Sequence, residues 1–352
     1  MVYSSLVKEK KKVYVGLSGG VDSAVSAALL QEKGYEVVGV FIKTWHPDFF
    51  PCTESEDRLS AMRVAVRLGI PFTTLDLSDT YRREVAEEMI GEYKKGRTPN
   101  PDVLCNKSVK FGGFYDFAVS EGADYIATGH YARTENGLLF TGKDSAKDQS
   151  YFLWMVPSSV LSRTLFPLGL LTKGEVRARA RALGLPNAAR PDSQGICFLG
   201  DISMKDFLSH YIELKDGDVL DEKGSVIGRH KGSILYTIGE RHGFEISPLS
   251  PHEHSRYVVA KDVGRNTLTV SSSPLSDKSG GEIVLSRTQW IGEVTPGTYK
   301  ARFRYRQPLI DVRLGSSSTV HLGSPATLPV GQSLVFYDKE RCLGGGIVDE
   351  SH

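Results

Sequence analysis

The chain has 352 residues, 40% of them hydrophobic and 24% charged, and a formal net charge of +1. That length allows two or three domains with cores of their own, and the composition is that of an ordinary soluble globular protein. The charge balance gives no global attraction to nucleic acid, so any such binding must come from local patches. No apolar run approaches the ~20 residues that span a bilayer. The start, MVYSSLVKEKKK, lacks the apolar core of a signal peptide. A cytoplasmic location with no membrane partner is expected. Cysteines 52, 105, 197 and 342 form no CxxC pair and no zinc spacing; in a reducing compartment they are expected to be thiols, and any that matter to do so through reactivity.

Val13 to Leu17 reads as a buried parallel strand, Ala24 to Leu30 as an apolar helix closed by Gly34, and Tyr35 to Ile42 as the next strand. The unit is βαβ. Between strand and helix stands Ser18-Gly19-Gly20-Val21-Asp22-Ser23. Two glycines let the backbone turn tightly and approach a ligand without a Cβ in the way. The amides of the loop and first helical turn then point outward, and the helix dipole adds partial positive charge, which makes an anion site. Ser18 and Ser23 add hydroxyls, and Asp22 is expected to hold a Mg²⁺ bridging phosphate oxygens. The loop has no lysine, unlike the GxxxxGK[ST] loop that serves γ-phosphoryl transfer. It resembles instead the SGGxDS signature of the PP-loop ATP pyrophosphatases, which cleave ATP between the α- and β-phosphates. It is not a GxGxxG.

The α/β pattern continues with a helix from Ser55 to Leu68, a strand from Pro71 to Asp76 and a charged helix from Ser78 to Lys95 ended by Gly96. Two prolines in GRTPNPDVLCNKSVKFG (96–112) argue against a helix through that stretch, and a helix is expected from about Lys110 to Glu121. Asp124 to Ala127 reads as a strand ending in Thr128-Gly129-His130, with helices at 149–155 and 172–183. From about Leu214 short alternating runs are separated by Asp216-Gly217, Lys223-Gly224, Arg265-Asn266 and Pro296-Gly297, the texture of β-barrel or sandwich modules. PLSDKSGG (274–281) marks a boundary between two of them. The expected domains are 1–208, 209–275 and 276–352.

The motifs ATGHYAR (127–133), KDQSYFLW (147–154), RPDSQGICFLG (190–200), GRHKGSILYTIGERHG (228–243), YKARFRYRQ (299–307) and CLGGGIV (342–348) join the loop and the 96–112 stretch. Together they resemble closely the tRNA-specific 2-thiouridylases, the MnmA/TrmU family, over nearly the whole chain. The resemblance implies an α/β fold: a parallel-sheet PP-loop domain (adenine nucleotide alpha hydrolase-like), then a small central β-rich domain and a C-terminal β-barrel. It implies ATP-dependent replacement of O2 by sulfur at a wobble uridine, with ATP and Mg²⁺ as cofactors. The implied partners are the anticodon region of tRNA and an upstream persulfide donor protein. ATP contacts fall on Gly16, Leu17, Ser18, Gly19, Gly20, Val21, Asp22, Ser23, Phe41 and Gly129. The tRNA contacts fall on Asn100, Pro101, Asp102, His130, Lys147, Asp148, Gln149, Arg304, Tyr305 and Gln332. The resemblance makes Cys197 the persulfide carrier, Cys105 the nucleophile that resolves it through a Cys105–Cys197 disulfide, and Asp102 the acid/base.

The chemistry suits these residue types. A uracil C2 carbonyl is a poor electrophile, and adenylation turns its oxygen into AMP, a good leaving group. Sulfur must arrive as a nucleophile, which a cysteine persulfide supplies, and a second thiol frees it by forming a disulfide. Cys52 and Cys342 read as small buried hydrophobes. His130 fits a structural role as well as a site, and KDQ fits a helix cap as well as a tRNA contact. In Tyr299 to Gln307 a strand would place Lys300, Arg302, Arg304 and Arg306 on one face, a stripe suited to phosphates. Arg229, His230, Lys231, Arg241 and His242 add to the basic surface. A GMP-synthetase-like adenylating enzyme would leave Cys105 and Cys197 without a task. An RNA-binding protein without catalysis would be expected to lack Ser18, Asp22 or one of the two cysteines.

Overall fold

The computed structural model describes residues 10–49, 53–191, 203–246, 256–273, 281–316, 318–323 and 328–351. The chain divides into two compact units. The first holds Met1–Arg82, Cys105–Gln194 and Glu340–Cys342; the second holds Arg83–Leu104, Gly195–Lys339 and Leu343–His352. Among the described residues no helix is long and apolar enough to cross a membrane.

The first unit is built on a parallel sheet. Strands β1 (Lys12–Gly16), β2 (Glu36–Lys43), β3 (Phe72–Asp76) and β4 (Tyr125–Ala127), with a short strand at Thr164–Leu165, lie in the order β3-β2-β1-β4-(Thr164–Leu165). Both faces of β1 are covered, so its run KVYVG carries apolar residues on both, with Val13 and Val15 at 0% exposure. Helix α1 (Val21–Glu32) is buried over most of its circumference for the same reason. Ala27 and Leu30 pack with Val13, Val15, Leu17 and Val37 of the sheet side. Val21, Ala24, Val25 and Leu29 pack instead with Val176 and Ala180 of the helix Lys173–Ala182. The chain leaves β1 towards β2 and returns on its other side as β4. That reversal opens a crevice beyond the carboxyl ends of β1 and β4, where sheets of this kind bind ligands.

In the second unit, Phe244–Ile246, Val226–His230, Gly217–Leu220, Thr267–Ser271 and Tyr257–Asp262 form a five-stranded sheet in that order. Val219, Tyr236, Val258, Leu268 and Val270 form its core. Glu282–Trp290, Thr319–Leu322, Ile310–Leu314, Gly297–Arg302, Ser333–Asp338 and Arg341–Ser351 follow one another as an antiparallel sheet. The first and last of these pair with each other, so the six strands close into a barrel around Leu285, Ala301, Val312, Val320, Leu334 and Phe336. Closure removes the free strand edges that an open sheet would expose.

Three sequence expectations are corrected. The 96–112 stretch is helical from Pro101: Pro101–Cys105 is an α-helix that runs on as a π-helical segment, Asn106–Gly113, and the helix Phe114–Ser120. Pro101 stands in the first turn, where its missing N–H has no helical partner to lose, so the proline starts the helix rather than breaking it. The strand expected through Gln307 ends at Arg302. Gln307 N–H donates to Arg304 O at 3.2 Å and Arg306 has φ +62°, so the chain turns and the four cations do not share a face. The helix expected at 149–155 is a single 3₁₀ turn, Ser150–Phe152.

Candidate active site

The nucleotide loop is held open by what ties it from behind. Gly19 has φ +79°, and a Cβ there would lie 2.5 Å from Asp57 O, so only glycine fits. Its carbonyl accepts from Ser60 Oγ at 2.9 Å, Asn187 Nδ2 at 2.8 Å and Arg190 Nη1 at 3.3 Å. In a trans peptide the next N–H points the opposite way, so three donors on the Gly19 carbonyl aim the Gly20 amide away from the brace. Arg190 is itself fixed by a close ion pair with Asp57. Gly20 caps α1 in an extended conformation with no side-chain hydrogen bond, which leaves the first-turn amides for a ligand. Ser18 N–H donates to Ser23 Oγ at 3.2 Å, and Ser23 Oγ donates to Gly20 O at 3.1 Å, which fixes the curl of the loop. Gly129, beyond the end of β4, lies against this turn: a Cβ would meet Ser23 N at 2.8 Å and Asp22 C at 2.9 Å. Phe41 is 6% exposed and packs in the core that contains Leu17.

Asp22 is the second residue of α1 rather than a loop residue. Its oxygens lie 2.7 and 2.8 Å from Lys173 Nζ, and Oδ1 also accepts from the Tyr131 hydroxyl at 2.8 Å. Lys173 opens its helix behind a complete capping box of Thr172 and Glu175. The lysine missing from the loop is therefore present beside it, brought from 151 residues away. Nothing in the local sequence of either residue announces the pair.

Other expected residues are engaged in structure. His130 is 7% exposed, its Nδ1 lies 2.7 Å from Thr128 Oγ1, and its ring packs against Phe111 and Phe166. Burial holds its pKa well below the ordinary histidine value, with Lys110 adding repulsion, so the imidazole is neutral. Asp148 accepts from Gly142 N–H, Ser150 N–H and Ser150 Oγ at 3.0, 3.1 and 3.0 Å. Gln149 Oε1 accepts from Tyr131 N–H at 3.0 Å, and Gln149 N–H returns a bond to Tyr131 O at 2.9 Å. Both side chains hold the Tyr131 to Ser150 region together, and Lys147, beside them, is half-buried.

In the second unit Asn100 Oδ1 accepts from Val103 N–H at 3.4 Å and so caps the helix that Pro101 begins. Asp102 and Cys105 are three residues apart on that helix, hence on one face. Cys105, with which the chain re-enters the first unit, is 2% exposed. The preceding segment is anchored: Thr98 N–H donates to Val330 O at 2.9 Å, and Gln332 Nε2 donates to Thr98 O at 2.7 Å. Arg97 pairs with Glu92 at 2.8 Å and Asp349 at 2.5 Å. Arg304 donates from Nη2 to Ile238 O at 2.7 Å, and Tyr305 carries Arg306 over its ring at 5.0 Å. Lys300 pairs with Asp311 at 2.8 Å. In the first unit Cys342 is fully buried, its Sγ 4.0 Å from Ser150 O. Cys52 and Cys197 lie outside the described residues. Sequence reading missed Ser60, Asp57, Tyr131, Lys173, Asn187 and Arg190, which meet at the loop only through the fold.

A parallel sheet with a lysine-free glycine loop at its switch point, followed by a β-rich module and a closed barrel, defines a PP-loop nucleotide-binding protein with two appended β modules. Family models match accordingly: a tRNA methyl transferase HUP domain over residues 11–201, a tRNA methyl transferase PRC-barrel domain over 205–272, and an aminomethyltransferase beta-barrel domain over 281–348. The chain is 42% identical to the tRNA-specific 2-thiouridylase MnmA of Streptococcus equi subsp. zooepidemicus, over 97% of this chain and 96% of that one. It is 45% identical to the tRNA-specific 2-thiouridylase MnmA 1 of Geobacillus kaustophilus and 41% identical to MnmA of Enterococcus faecalis, at the same coverages. The chain belongs to the tRNA-specific 2-thiouridylase (MnmA) family.

Proposed function

We propose that the protein replaces O2 of a wobble uridine in tRNA by sulfur, using ATP to activate the oxygen. The observation that carries the ATP half is the loop itself, with its amides uncapped at the start of α1 and its Gly19 carbonyl tied back by three donors. Family membership carries the tRNA half. In the first step uracil O2 attacks the α-phosphorus, the bond to the β-phosphate oxygen breaks, and pyrophosphate leaves with that electron pair. In the second, the outer sulfur of a persulfide on Cys197 attacks C2, and AMP leaves with the original oxygen. The Cys105 thiolate then attacks the inner sulfur, closing a Cys105–Cys197 disulfide and leaving two electrons on the uridine sulfur. An external thiol returns the pair to its reduced form, and a persulfide donor protein reloads Cys197. In this reading Asp102, one helical turn before Cys105, moves the proton of the base.

The same reading assigns tRNA contact to Asn100, Pro101, Asp102, His130, Lys147–Gln149, Arg304, Tyr305 and Gln332, and the three-part division 1–208, 209–275 and 276–352. The side chains of His130, Asp148 and Gln149 also have structural partners of their own. Magnesium fits less well than expected. Asp22, its expected holder, already has an ammonium on both oxygens, and among the described residues no three His, Cys, Asp or Glu side chains cluster as metal ligands. Among the described residues no set of side chains stands ready to hold the ion by protein ligands alone.

Incubation with labelled ATP and tRNA should yield AMP and pyrophosphate, in step with one another. ADP and phosphate as the main products would refute the pyrophosphatase assignment.

A further inference from the structure

We propose that Thr98 is a positioning residue for Asp102: both β modules hold it, and a stiff arm carries its placement to the helix that bears the carboxylate. The inference rests on the acid/base role given to Asp102 above. Residues 83–104 fold with the second unit, although they lie within the stretch expected from sequence to form the nucleotide domain. Thr98 is 9% exposed, and its N–H, carbonyl and hydroxyl are all engaged. On the barrel side, its N–H donates to Val330 O at 2.9 Å and its carbonyl accepts from Gln332 Nε2 at 2.7 Å. On the side of the five-stranded module, its Oγ1 lies 3.3 Å from Thr237 Oγ1. Gly331 presses close: a Cβ there would meet Thr98 N at 2.8 Å and Thr98 O at 3.0 Å.

Between Thr98 and Asp102 stand Pro99, Asn100 and Pro101. Each proline fixes its own φ and confines the residue before it to extended backbone, so the arm has few soft torsions. Asn100 Oδ1 accepts from Val103 N–H at 3.4 Å, which joins the arm to the helix Pro101–Cys105. A displacement of Thr98 is therefore passed on to Asp102 instead of being absorbed on the way. A carboxylate that moves a proton must stand within hydrogen-bond reach of it. The β modules, which carry Arg304 and Tyr305, thus hold Asp102 in register with the tRNA assigned to them.

The test measures 2-thiouridine formation by Thr237→Val, Thr237→Ser and Gln332→Met, each alone and combined with Asp102→Asn. Saturating tRNA, ATP and persulfide donor remove from the rate any change in affinity, including one at Gln332. Thr237→Val and Gln332→Met each delete one bond to Thr98 at nearly constant volume. Each is expected to slow thiolation about tenfold, a fraction of the hundredfold that misplacement by about 1 Å costs. Thr237→Ser keeps the hydroxyl and should stay near the parental rate. Asp102→Asn should be slower than any of these, and adding Thr237→Val or Gln332→Met to it should slow it no further, because both act through that carboxylate. Losses that multiply in the double variants would make Thr98 a structural brace and overturn the proposal. Parental rates in both Thr237→Val and Gln332→Met would overturn it too. Asp102→Asn at the parental rate would refute the acid/base reading itself, so that single variant separates its failure from failure of the inference.

Discussion

Serine at either Cys105 or Cys197 is expected to abolish 2-thiouridine formation while leaving ATP and tRNA binding intact. In the proposed mechanism adenylation uses the loop and no thiol, whereas sulfur transfer needs one thiol as carrier and the other as resolver. The two variants should also differ from each other. Cys105→Ser should still accept sulfur and accumulate a persulfide at Cys197, seen by mass spectrometry as an increase of one sulfur atom. Cys197→Ser should show no adduct at Cys105. After a single turnover without reductant the parent should carry a Cys105–Cys197 disulfide, for which the two Cα atoms must come within roughly 7 Å. Cys105 is 2% exposed at the end of the short helix Pro101–Cys105. Full thiolation by either serine variant would contradict the assignment of roles.

Gly129→Ala is expected to have the next largest effect, through geometry alone. Its added methyl would meet Ser23 N at 2.8 Å and Asp22 C at 2.9 Å, both backbone of the first turn of α1. A flexible side chain would swing aside; a helix packed on both faces by the sheet and by Val176 and Ala180 does not. Relief therefore comes by displacing the amides that the proposed function assigns to the phosphates. Overpacking of this kind costs about 1–3 kcal/mol of stability. Misplacement by about 1 Å at a reacting centre costs about a hundredfold in rate. Calorimetric ATP titration and a thermal unfolding curve on the same sample check both effects. Parental ATP affinity would show that the approach of Gly129 to α1 does not shape the site.

Much of the nucleotide half was legible in the sequence, because its signals are local. The βαβ unit around Val13–Ile42 announces itself by apolar runs, and Gly19-Gly20 by a turn that a Cβ would block. What completes the site was not legible, since Tyr131, Lys173, Asn187 and Arg190 are ordinary residues in ordinary contexts until the fold brings them to residues 19–22. The error at Pro101 came from weighing proline as a breaker without its place in the first turn, where it favours a helix. The error beyond Arg302 came from extending period two across a turn. Arg306 adopts φ +62° there, which non-glycine residues seldom do, and no propensity in YKARFRYRQ signals it. His130 shows the limit of motif reading from another side: the motif leaves a structural role and a site equally open, and the fold adds that its ring is neutral and packed against Phe111 and Phe166.

The most direct test of the central claim is nucleoside mass spectrometry of unmodified tRNA incubated with the protein, ATP and a persulfide donor. The expected result is 2-thiouridine in place of wobble uridine, absent when ATP is omitted and matched by one AMP and one pyrophosphate per sulfur inserted. Wobble uridine left unchanged by protein that binds both ATP and tRNA, or thiolation to the same extent without ATP, would contradict it.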